Sequence, residues 1–442
     1  MNRKPGYIDI LLILTSGVGY YCIQNLFSRE NILLVLPIYT AIFGAYLYWS
    51  FGRKLSFPLL VLIGLVFRLC VITGPPNWSD DYFRFYWDAQ MTTNGINPYS
   101  FTPTELQEAH PKVFERHASV FEQLNSPDYY SVYPPALQAV FALSASLSRS
   151  LDGFVRCTQI LIVLSELLAV LLMASLLALI EKAKELSALY FLNPLVIVEL
   201  SGNLHNEVFM VLCSVAALWL LYKKQYWLSA IALAIAVACK LYPLLLAPIF
   251  LMRSGKSWLT YGLSFGLALA LLFLPFIGVE EWAHIKQSID LYYQKFEFNG
   301  GLYFLLRKMI SGITEYNPIA YLGPSLGFLS VVLIVNLYRI GLFKPTKNDV
   351  FRLISLTILF FYTTSTTVHP WYLSLMIAMS VFTKERFAVF WSFAIVFTYA
   401  SYASTPYREN YLIVAIEWLA LLTFILWETF SGLKSPSHER SE

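Results

Sequence analysis

The stretch Asn77-Trp-Ser-Asp-Asp-Tyr-Phe-Arg-Phe-Tyr-Trp-Asp88 places three carboxylates, one arginine and a series of aromatic rings within twelve residues. It comes directly after a hydrophobic run that ends near residue 73. Charged groups beside a membrane core are costly unless they have a role. This cluster therefore predicts an active site at a membrane surface.

The rest of the chain is dominated by hydrophobic runs. Of its 442 residues, 57% are hydrophobic and 13% are charged, and the mean hydropathy is +0.58. A soluble domain carries about 25% charged residues. Apolar runs of bilayer-spanning length recur from Tyr7 to Phe430, so we predict an all-α polytopic membrane protein with about 12–14 transmembrane helices. The net charge of +3 does not indicate nucleic-acid binding, and the five cysteines show no disulfide or zinc pattern.

The distribution of basic residues predicts the orientation of these runs. With the N-terminus in the cytoplasm, the basic connections fall inside and the two long hydrophilic segments, residues 74–154 and 278–317, fall outside. We therefore predict one integral-membrane domain over residues 1–434 and a short cytoplasmic tail over residues 435–442. The basic connections are Arg53-Lys54, Lys182/Lys184, Lys223-Lys224, Arg253/Lys256, Lys344/Lys347 and Lys384/Arg386.

The outer loop at 74–154 has a predicted structure of its own. Asp80 to Gln90 fits an amphipathic helix with Asp80, Arg84 and Asp88 on one face. Tyr133-Pro134-Pro135 opens a second helix, which we place in the membrane interface. If this helix crossed the membrane, the basic connections that follow it would fall on the outer side.

In this topology the other unusual polar residues reach the same outer face. Lys240 lies too many apolar residues from the basic loops to snorkel back to the cytoplasm, so its ammonium predicts an anionic ligand such as a phosphate. Ordinary structural roles also fit several of these residues. Asp80 and Asp81 could cap a helix, Trp371-Tyr372 fits an aromatic belt, and His205 or His369 alone fits a structural histidine. Asn193-Pro194 predicts a helix break.

Together these residue types fit glycosyl transfer from a lipid phosphate. Lys240 and Arg84 can bind the phosphate, with His205 and His369 as further donors. Asp80 or Asp81 can act as the general base for an incoming hydroxyl group. Preorganised positive charge at the departing phosphate would stabilise the transition state.

The motifs, taken in order, resemble those of a known superfamily. The motifs are Asp80-Asp81-x-x-Arg84-x-x-Trp87-Asp88, Gly95-x-Asn97-Pro98-Tyr99, Tyr133-Pro134-Pro135, Gly202-Asn203-x-His205-Asn206, Lys240-Leu241-Tyr242-Pro243 and His369-Pro370-Trp371-Tyr372. Over residues 60–380 their order and spacing resemble the GT-C glycosyltransferases. Within these the chain is most similar to bacterial polyprenyl-phosphate-mannose-type mannosyltransferases and, more distantly, to the first mannosyltransferase of GPI-anchor synthesis.

The resemblance implies a GT-C-like helical bundle in the bacterial inner membrane. It also implies inverting transfer of a sugar, mannose by resemblance, from a polyprenyl-phosphate donor to a lipid, glycolipid or other small acceptor at the extracytoplasmic face. Asp80 or Asp81 would be the catalytic base, and Lys240, Arg84, His205 and His369 would bind the donor phosphate. The predicted substrate-binding residues are Asp88, Trp87, Asn97, Tyr99, Tyr133, Asn203, Asn206, Tyr242, Trp371 and Tyr372. Paired carboxylates can hold Mg²⁺ or Mn²⁺, so the sequence leaves undecided whether the reaction needs a divalent cation.

Two other functions fit part of the sequence. A secondary transporter or lipid flippase would explain broken helices and Lys240, but it predicts polar groups near the bilayer midplane and usually an internal repeat. A ligase or polymerase of outer-face glycans shares the lipid-phosphate chemistry, but we expect its large outer loop late in the chain. Three spans precede the acidic stretch, where the family pattern often has one, so the first two can be interpreted as an addition.

Overall fold

A computed structural model describes residues 5–53, 55–148, 150–276, 278–314, 316–342, 349–403 and 407–434. Of the basic residues used to orient the chain, Lys54, Lys344 and Lys347 lie outside the described residues, as does the predicted tail at 435–442.

The helices follow the hydrophobic runs. Before the acidic stretch come α1 (Tyr7–Leu26), α2 (Ile32–Leu47) and α3 (Phe57–Val71). The outer loop forms α4 (Asp81–Thr93), α5 (Pro103–Ala109), α6 (Pro111–Arg116), α7 (Ala118–Phe121) and α8 (Pro135–Ser146). Next come α9 (Leu151–Leu179), α10 (Ala188–Phe191), α11 (Pro194–Val196), α12 (Glu207–Tyr222), α13 (Tyr226–Cys239), α14 (Ala247–Arg253) and α15 (Trp258–Phe273). The last are α16 (Val279–Gln294), α17 (Gly301–Thr314), α18 (Ile319–Leu342), α19 (Asp349–Thr363), α20 (Ser374–Ser380), α21 (Phe387–Ala394) and α22 (Tyr411–Lys434).

The prediction of an all-α polytopic membrane protein is confirmed. In the described ranges, six helical segments are long and apolar enough to cross a bilayer, and a seventh candidate is bent by 119° between Pro194–Gly202 and Glu207–Tyr222. Shorter apolar helices, such as α3, α13 and the helical segment Val350–Thr363, pack among them. Helices are the expected form because a bilayer offers the backbone no alternative hydrogen-bond partners.

The predicted helix break at Asn193-Pro194 is also confirmed. The Asn193 side chain accepts a hydrogen bond from the Leu195 amide at 3.0 Å and donates to Ser392 Oγ at 2.9 Å, so it caps α11. After α11 the chain forms a π-helical segment, Ile197–Gly202, and then turns back into α12. Similar breaks precede Pro243 and Pro370, where proline cannot continue the hydrogen-bond ladder of the preceding helix.

A buried ion pair fixes this broken segment to the bundle. Arg68 of α3 and Glu166 of α9 form two parallel contacts, at 2.6 Å and 2.9 Å, and both side chains are inaccessible to solvent. Arg68 also donates to the Phe191 carbonyl at 2.8 Å, while Ser201 Oγ donates to Glu166 at 2.5 Å. The C-terminal end of α3, the middle of α9 and the segment 188–202 therefore keep a fixed relation.

The two long hydrophilic segments, which the sequence predicts to be outer loops, cover one end of the bundle. The predicted helix at 80–90 is confirmed as α4, and the helix predicted after Tyr133-Pro134 is confirmed as α8. Helix α8 packs against α4, α9 and α13. In the second loop, the Phe298 amide donates to the Thr366 carbonyl at 3.1 Å, and the Val368 amide donates to the Phe298 carbonyl at 2.8 Å. These bonds hold the second loop against the segment that leads to His369.

Candidate active site

A cavity of about 700 Å³ opens where the two outer loops meet the broken helices. Its walls come from the acidic stretch, the loop at 125–135, the turns at 205–207 and 239–245, helix α16, the second outer loop, and the segment 365–372. Of the residues predicted from the sequence to form the site, this cavity is lined by Asp81, Arg84, Tyr99, Tyr133, His205, Asn206, Lys240, Tyr242, His369, Trp371 and Tyr372.

The two adjacent aspartates have different surroundings. Asp80 Oδ2 accepts a 2.5 Å bond from Arg29 Nη2, and Arg29 also donates to the Trp78 carbonyl at 3.0 Å. Asp81 begins α4 and lines the cavity, where its Oδ1 accepts from Asn125 Nδ2 at 3.1 Å. No lysine or arginine of the described chain forms an ion pair with Asp81. Asp81 is thus the aspartate that is both unpaired with a cation and open to the cavity.

The start of the acidic stretch is held by the Gly202-Asn203 turn. Asn203 Oδ1 accepts from the backbone amides of Asn77 and Trp78, at 3.0 Å and 2.9 Å. Gln24 Nε2 bridges the carbonyls of Pro75 and Gly202. A side chain at Gly202 would come within 2.5 Å of Gln24 Oε1, which gives this glycine a steric role. Asn203 is buried behind the acidic stretch and does not line the cavity.

Arg84 and Asp88 join α4 to the following loop. Their side chains form a buried i,i+4 ion pair at 2.8 Å. Arg84 Nη1 also donates to the carbonyls of Ser126 and Tyr129, while Asp88 accepts from Ser131 Oγ and Gln138 Nε2. Arg84 reaches the cavity wall, but its guanidinium already has three acceptors, and Asp88 lies behind it.

Lys240 ends α13 and turns toward the cavity. Its ammonium forms an ion pair with Glu207 and lies 3.8 Å from the centroid of the Tyr372 ring. The Lys240 side chain is 27% exposed, so it can contact a ligand without leaving Glu207. A phosphate bound here would share the lysine with this carboxylate.

Four rings form a continuous stack along another wall. His205 lies parallel to Trp371 with centroids 3.6 Å apart, Trp371 lies parallel to His369 at 4.4 Å, and His369 stacks on Phe298 at 4.5 Å. His205 Nδ1 lies 3.0 Å from Glu199 Oε2. In the loop between α19 and α20, burial, together with the nearby His205 and Lys240, holds the pKa of His369 well below its ordinary value. His369 is therefore neutral at neutral pH.

Several buried polar atoms around the cavity lack a partner. Among the described residues, no hydrogen bond reaches Trp78 Nε1, His205 Nε2, Asn206 Oδ1 or His369 Nδ1. All four side chains line the same cavity. Because a buried polar group without a hydrogen bond costs about 1–3 kcal/mol, their convergence indicates that a polar ligand satisfies them.

The remaining cavity wall is apolar. It is formed by side chains of α8, the turn after Lys240, the end of α15 and helix α16: Pro135, Leu137, Leu241, Leu244, Leu245, Phe273, Ile285, Ile289 and Leu291. Leu241, Leu244 and Ile289 are also exposed on the outside of the protein. A ligand with a charged head and a long apolar tail matches this lining.

Four of the predicted substrate-binding residues lie away from the cavity, and Asp88, behind Arg84, is one of them. Trp87 packs in α4 against Phe114 and Phe121, with ring centroids 6.0 Å and 5.9 Å away. Asn97 donates to the Phe276 carbonyl and so ties the outer loop to the end of α15. Asn203 supports the acidic stretch, as described above. Tyr99 does line the cavity, and its hydroxyl donates to the Tyr133 carbonyl at 2.6 Å.

Sequence reasoning missed two residues around the cavity, Arg29 and Glu199. Arg29 lies in the turn between α1 and α2. The sequence marks it only as a charged residue between two hydrophobic runs, which does not indicate a role in the site. Glu199 is fully buried in the π-helical segment and accepts a 2.8 Å bond from Tyr399 Oη. An acidic residue inside an apolar run was a usable signal, because such residues are functional candidates by default.

The site offers no evident metal cluster. Within the described ranges, no group of three or more His, Cys, Asp or Glu side chains is arranged to hold a metal ion. Asp80 and Asp81, the paired carboxylates considered for Mg²⁺ or Mn²⁺, are engaged by Arg29 and Asn125. The divalent cation stays a prediction.

A comparison with known families identifies a related family. The family model MptA_B, described as alpha-(1->6)-mannopyranosyltransferase, N-terminal domain, matches residues 28–255. This range covers the acidic stretch, the Gly202-Asn203 turn, His205 and Lys240. Neither the curated proteins nor the solved structures gave a match.

Proposed function

The chain belongs to the MptA_B family of alpha-(1->6)-mannopyranosyltransferases, and from this we propose that it transfers mannose from a polyprenyl-phosphate donor to a glycan or glycolipid acceptor. Family membership supports mannosyl transfer. The donor type is supported by the lining of the cavity, which combines Lys240, unpaired ring nitrogens of two histidines and a long apolar wall.

The observation that carries the proposal is the position of Asp81. Its carboxylate lines the same cavity as Lys240 and has no cationic partner among the described residues. A carboxylate free of ion pairing is available as a base, while a paired one is less available. We therefore assign the base to Asp81, and we give Asp80, held by Arg29, a positioning role.

The proposed reaction is a single in-line displacement. The acceptor hydroxyl oxygen attacks the anomeric carbon, and its proton passes to the Asp81 carboxylate. The bond between the anomeric carbon and the phosphate oxygen breaks, and its electron pair leaves with the lipid phosphate. A β-mannosyl phosphate then yields an α-mannoside, which is the anomer in the family description, and the acceptor oxygen would be O6 of a mannose unit. Lys240, His205 and His369 stabilise the departing phosphate.

We further propose that this site faces the extracytoplasmic side of a bacterial inner membrane, with both termini in the cytoplasm. The support is the agreement between basic connections and the predicted spans. We propose that Arg84 mainly holds the loop at 126–129 in place, because carbonyl groups of that loop and the Asp88 carboxylate accept its hydrogen bonds.

The test is sugar transfer by the detergent-purified protein from a radiolabelled β-mannosyl phosphate on a short polyprenol, with a lipid and glycan extract of the host as acceptor. The wild type should label a product, and Asp81→Asn should reduce kcat at least about 100-fold. Asp128→Asn is the matched control, because Asp128 is an exposed loop residue that bonds Thr104. No transfer from any polyprenyl-phosphate sugar, or an Asp81→Asn variant as active as the wild type, would contradict the proposal.

A further inference from the structure

Glu199 is a buried carboxylate that the proposed mechanism leaves unused. It lies in the π-helical segment Ile197–Gly202 and is inaccessible to solvent. Its Oε1 accepts from Tyr399 Oη at 2.8 Å, and its Oε2 lies 3.0 Å from His205 Nδ1. In the described part of the chain, no lysine or arginine forms an ion pair with it, unlike Glu166 with Arg68. An ionised Glu199 would be an uncompensated buried charge, which is costly, and a positive charge on the adjacent His205 would compensate it.

The geometry gives the two ring nitrogens of His205 different partners. Nδ1 lies 3.2 Å from the backbone carbonyl of Glu199, which can accept its proton, and 3.0 Å from Oε2, which has no hydrogen bond among the described residues. The proton on Nδ1 is therefore held by the protein. Nε2, at the opposite edge of the ring, is buried, lacks a partner and belongs to a side chain that lines the cavity. The parallel Trp371 ring, 3.6 Å away, fixes the ring plane. Only a histidine protonated on both nitrogens can donate from Nε2 while keeping the bond to Glu199.

We infer that Glu199 is a positioning residue that keeps His205 as an imidazolium, so that its Nε2–H binds the phosphate released from the sugar. This inference rests on the proposed function. The proton stays on His205 throughout. The donor phosphate is a diester with one negative charge, and it becomes a monoester with up to two as the sugar–oxygen bond breaks. A cation beside it therefore stabilises the late transition state and the product more than the bound donor.

The other cations of the cavity are already shared with carboxylates. Arg29 pairs with Asp80, Arg84 with Asp88 and Lys240 with Glu207. Of the remaining groups near His205, His369 is neutral by the direction of its pKa, and Tyr399 binds the far side of Glu199. Among the described residues that line the cavity, an imidazolium at His205 is thus the cation whose N–H, at Nε2, has no acceptor in the protein.

The experiment compares wild type with Glu199→Gln, which keeps side-chain length and hydrogen bonding but removes the charge. Three quantities are measured with the short-chain mannosyl donor: kcat, the KM for the donor, and the affinity for farnesyl phosphate by calorimetry. We expect kcat and the affinity for farnesyl phosphate to fall about 10- to 100-fold, the effect of removing charge from one hydrogen bond. The KM for the donor should change less than about 2-fold, because the substitution leaves unchanged the interactions that the bound donor and the transition state share.

Two further variants separate a positioning role from a packing role. If Glu199 acts through His205, the double variant Glu199→Gln/His205→Asn should be no worse than His205→Asn alone. Tyr399→Phe removes one donor to Glu199 and should change kcat in the same direction, by a smaller factor. Its matched control is Tyr190→Phe, which removes a buried hydroxyl that has no hydrogen-bond partner in the described part of the chain.

The outcomes are distinguishable from failure of the proposed function. A wild-type protein that transfers no mannose and does not bind farnesyl phosphate would overturn both. An active wild type with Glu199→Gln unchanged in kcat and phosphate affinity would overturn this inference alone. So would equal losses in donor KM and product affinity, or effects that multiply in the double variant. If Glu199→Gln does not fold, Tyr399→Phe and its control decide the question by the same measurements.

Discussion

At the residue scale, two neighbouring carboxylates in this protein have different surroundings. Asp80 and Asp81 are adjacent, but one is paired with Arg29 and the other borders the cavity. The difference arises because Asp81 is the first residue of α4, whereas Asp80 precedes it and turns toward the loop between α1 and α2. The proposed base, Asp81, and the proposed positioning carboxylate, Asp80, can therefore be separated by mutation.

We predict that Asp80→Asn lowers kcat less than about 10-fold. Asp80 and Arg29 are 47% and 26% exposed, and such pairs contribute about 0–1 kcal/mol. An asparagine can still accept a hydrogen bond from Arg29. Initial rates of mannosyl transfer, measured beside Asp81→Asn, give the comparison. A larger loss in Asp80→Asn than in Asp81→Asn would reverse the assignment of the base.

At the element scale, the acidic stretch has no regular structure before Asp81 and depends on another element for its position. The Gly202-Asn203 turn supplies this support through Asn203, which accepts from two consecutive amides. Because the turn follows the bent segment at 194–202, the bend connects the helix bundle to the acidic stretch.

Asn203→Ala should lower both stability and activity. The substitution leaves the amides of Asn77 and Trp78 without an acceptor, at about 1–3 kcal/mol for a buried donor. We expect a lower midpoint of thermal unfolding in detergent and a lower kcat. The matched control is Asn336→Ala on α18, where the side chain is exposed and bonds only within its own helix. Equal unfolding midpoints in the two variants would contradict this role of the turn.

At the scale of the whole molecule, the first two helices belong to the same packed unit as the site. Tyr39 and Tyr46 of α2 donate to the carbonyls of Ser392 and Leu189. The turn between α1 and α2 supplies Arg29 to the cavity wall. Even if these helices are an addition to the family pattern, they are part of the site.

The proposed orientation predicts which loops are reachable from outside the cell. In a background in which the five cysteines are replaced, Glu108→Cys and Lys286→Cys should react with a membrane-impermeant maleimide in intact cells. Lys224→Cys and Lys256→Cys should react only after permeabilisation. All four positions are exposed, so burial does not limit the reaction. The opposite labelling pattern would place the active site in the cytoplasm.

The sequence by itself determined the membrane class, the helix boundaries and the motifs that line the cavity. Hydropathy and proline positions act locally, so runs such as 226–239 and breaks such as Asn193-Pro194 can be read directly from the chain. The same local reading placed Lys240 beyond the reach of the basic loops. The family resemblance then suggested that the residues of these motifs transfer a sugar from a polyprenyl-phosphate donor.

Only the tertiary structure decided how the charged groups pair. Arg29 and Asp80 are 51 residues apart, and Glu199 and Tyr399 are 200 residues apart, so no local pattern connects them. Burial decides whether a side chain such as Trp87 binds a ligand or fills the core, and burial depends on how the helices pack. The separation of Asp81 from Asp80, and the link from Glu199 to His205, follow from that packing.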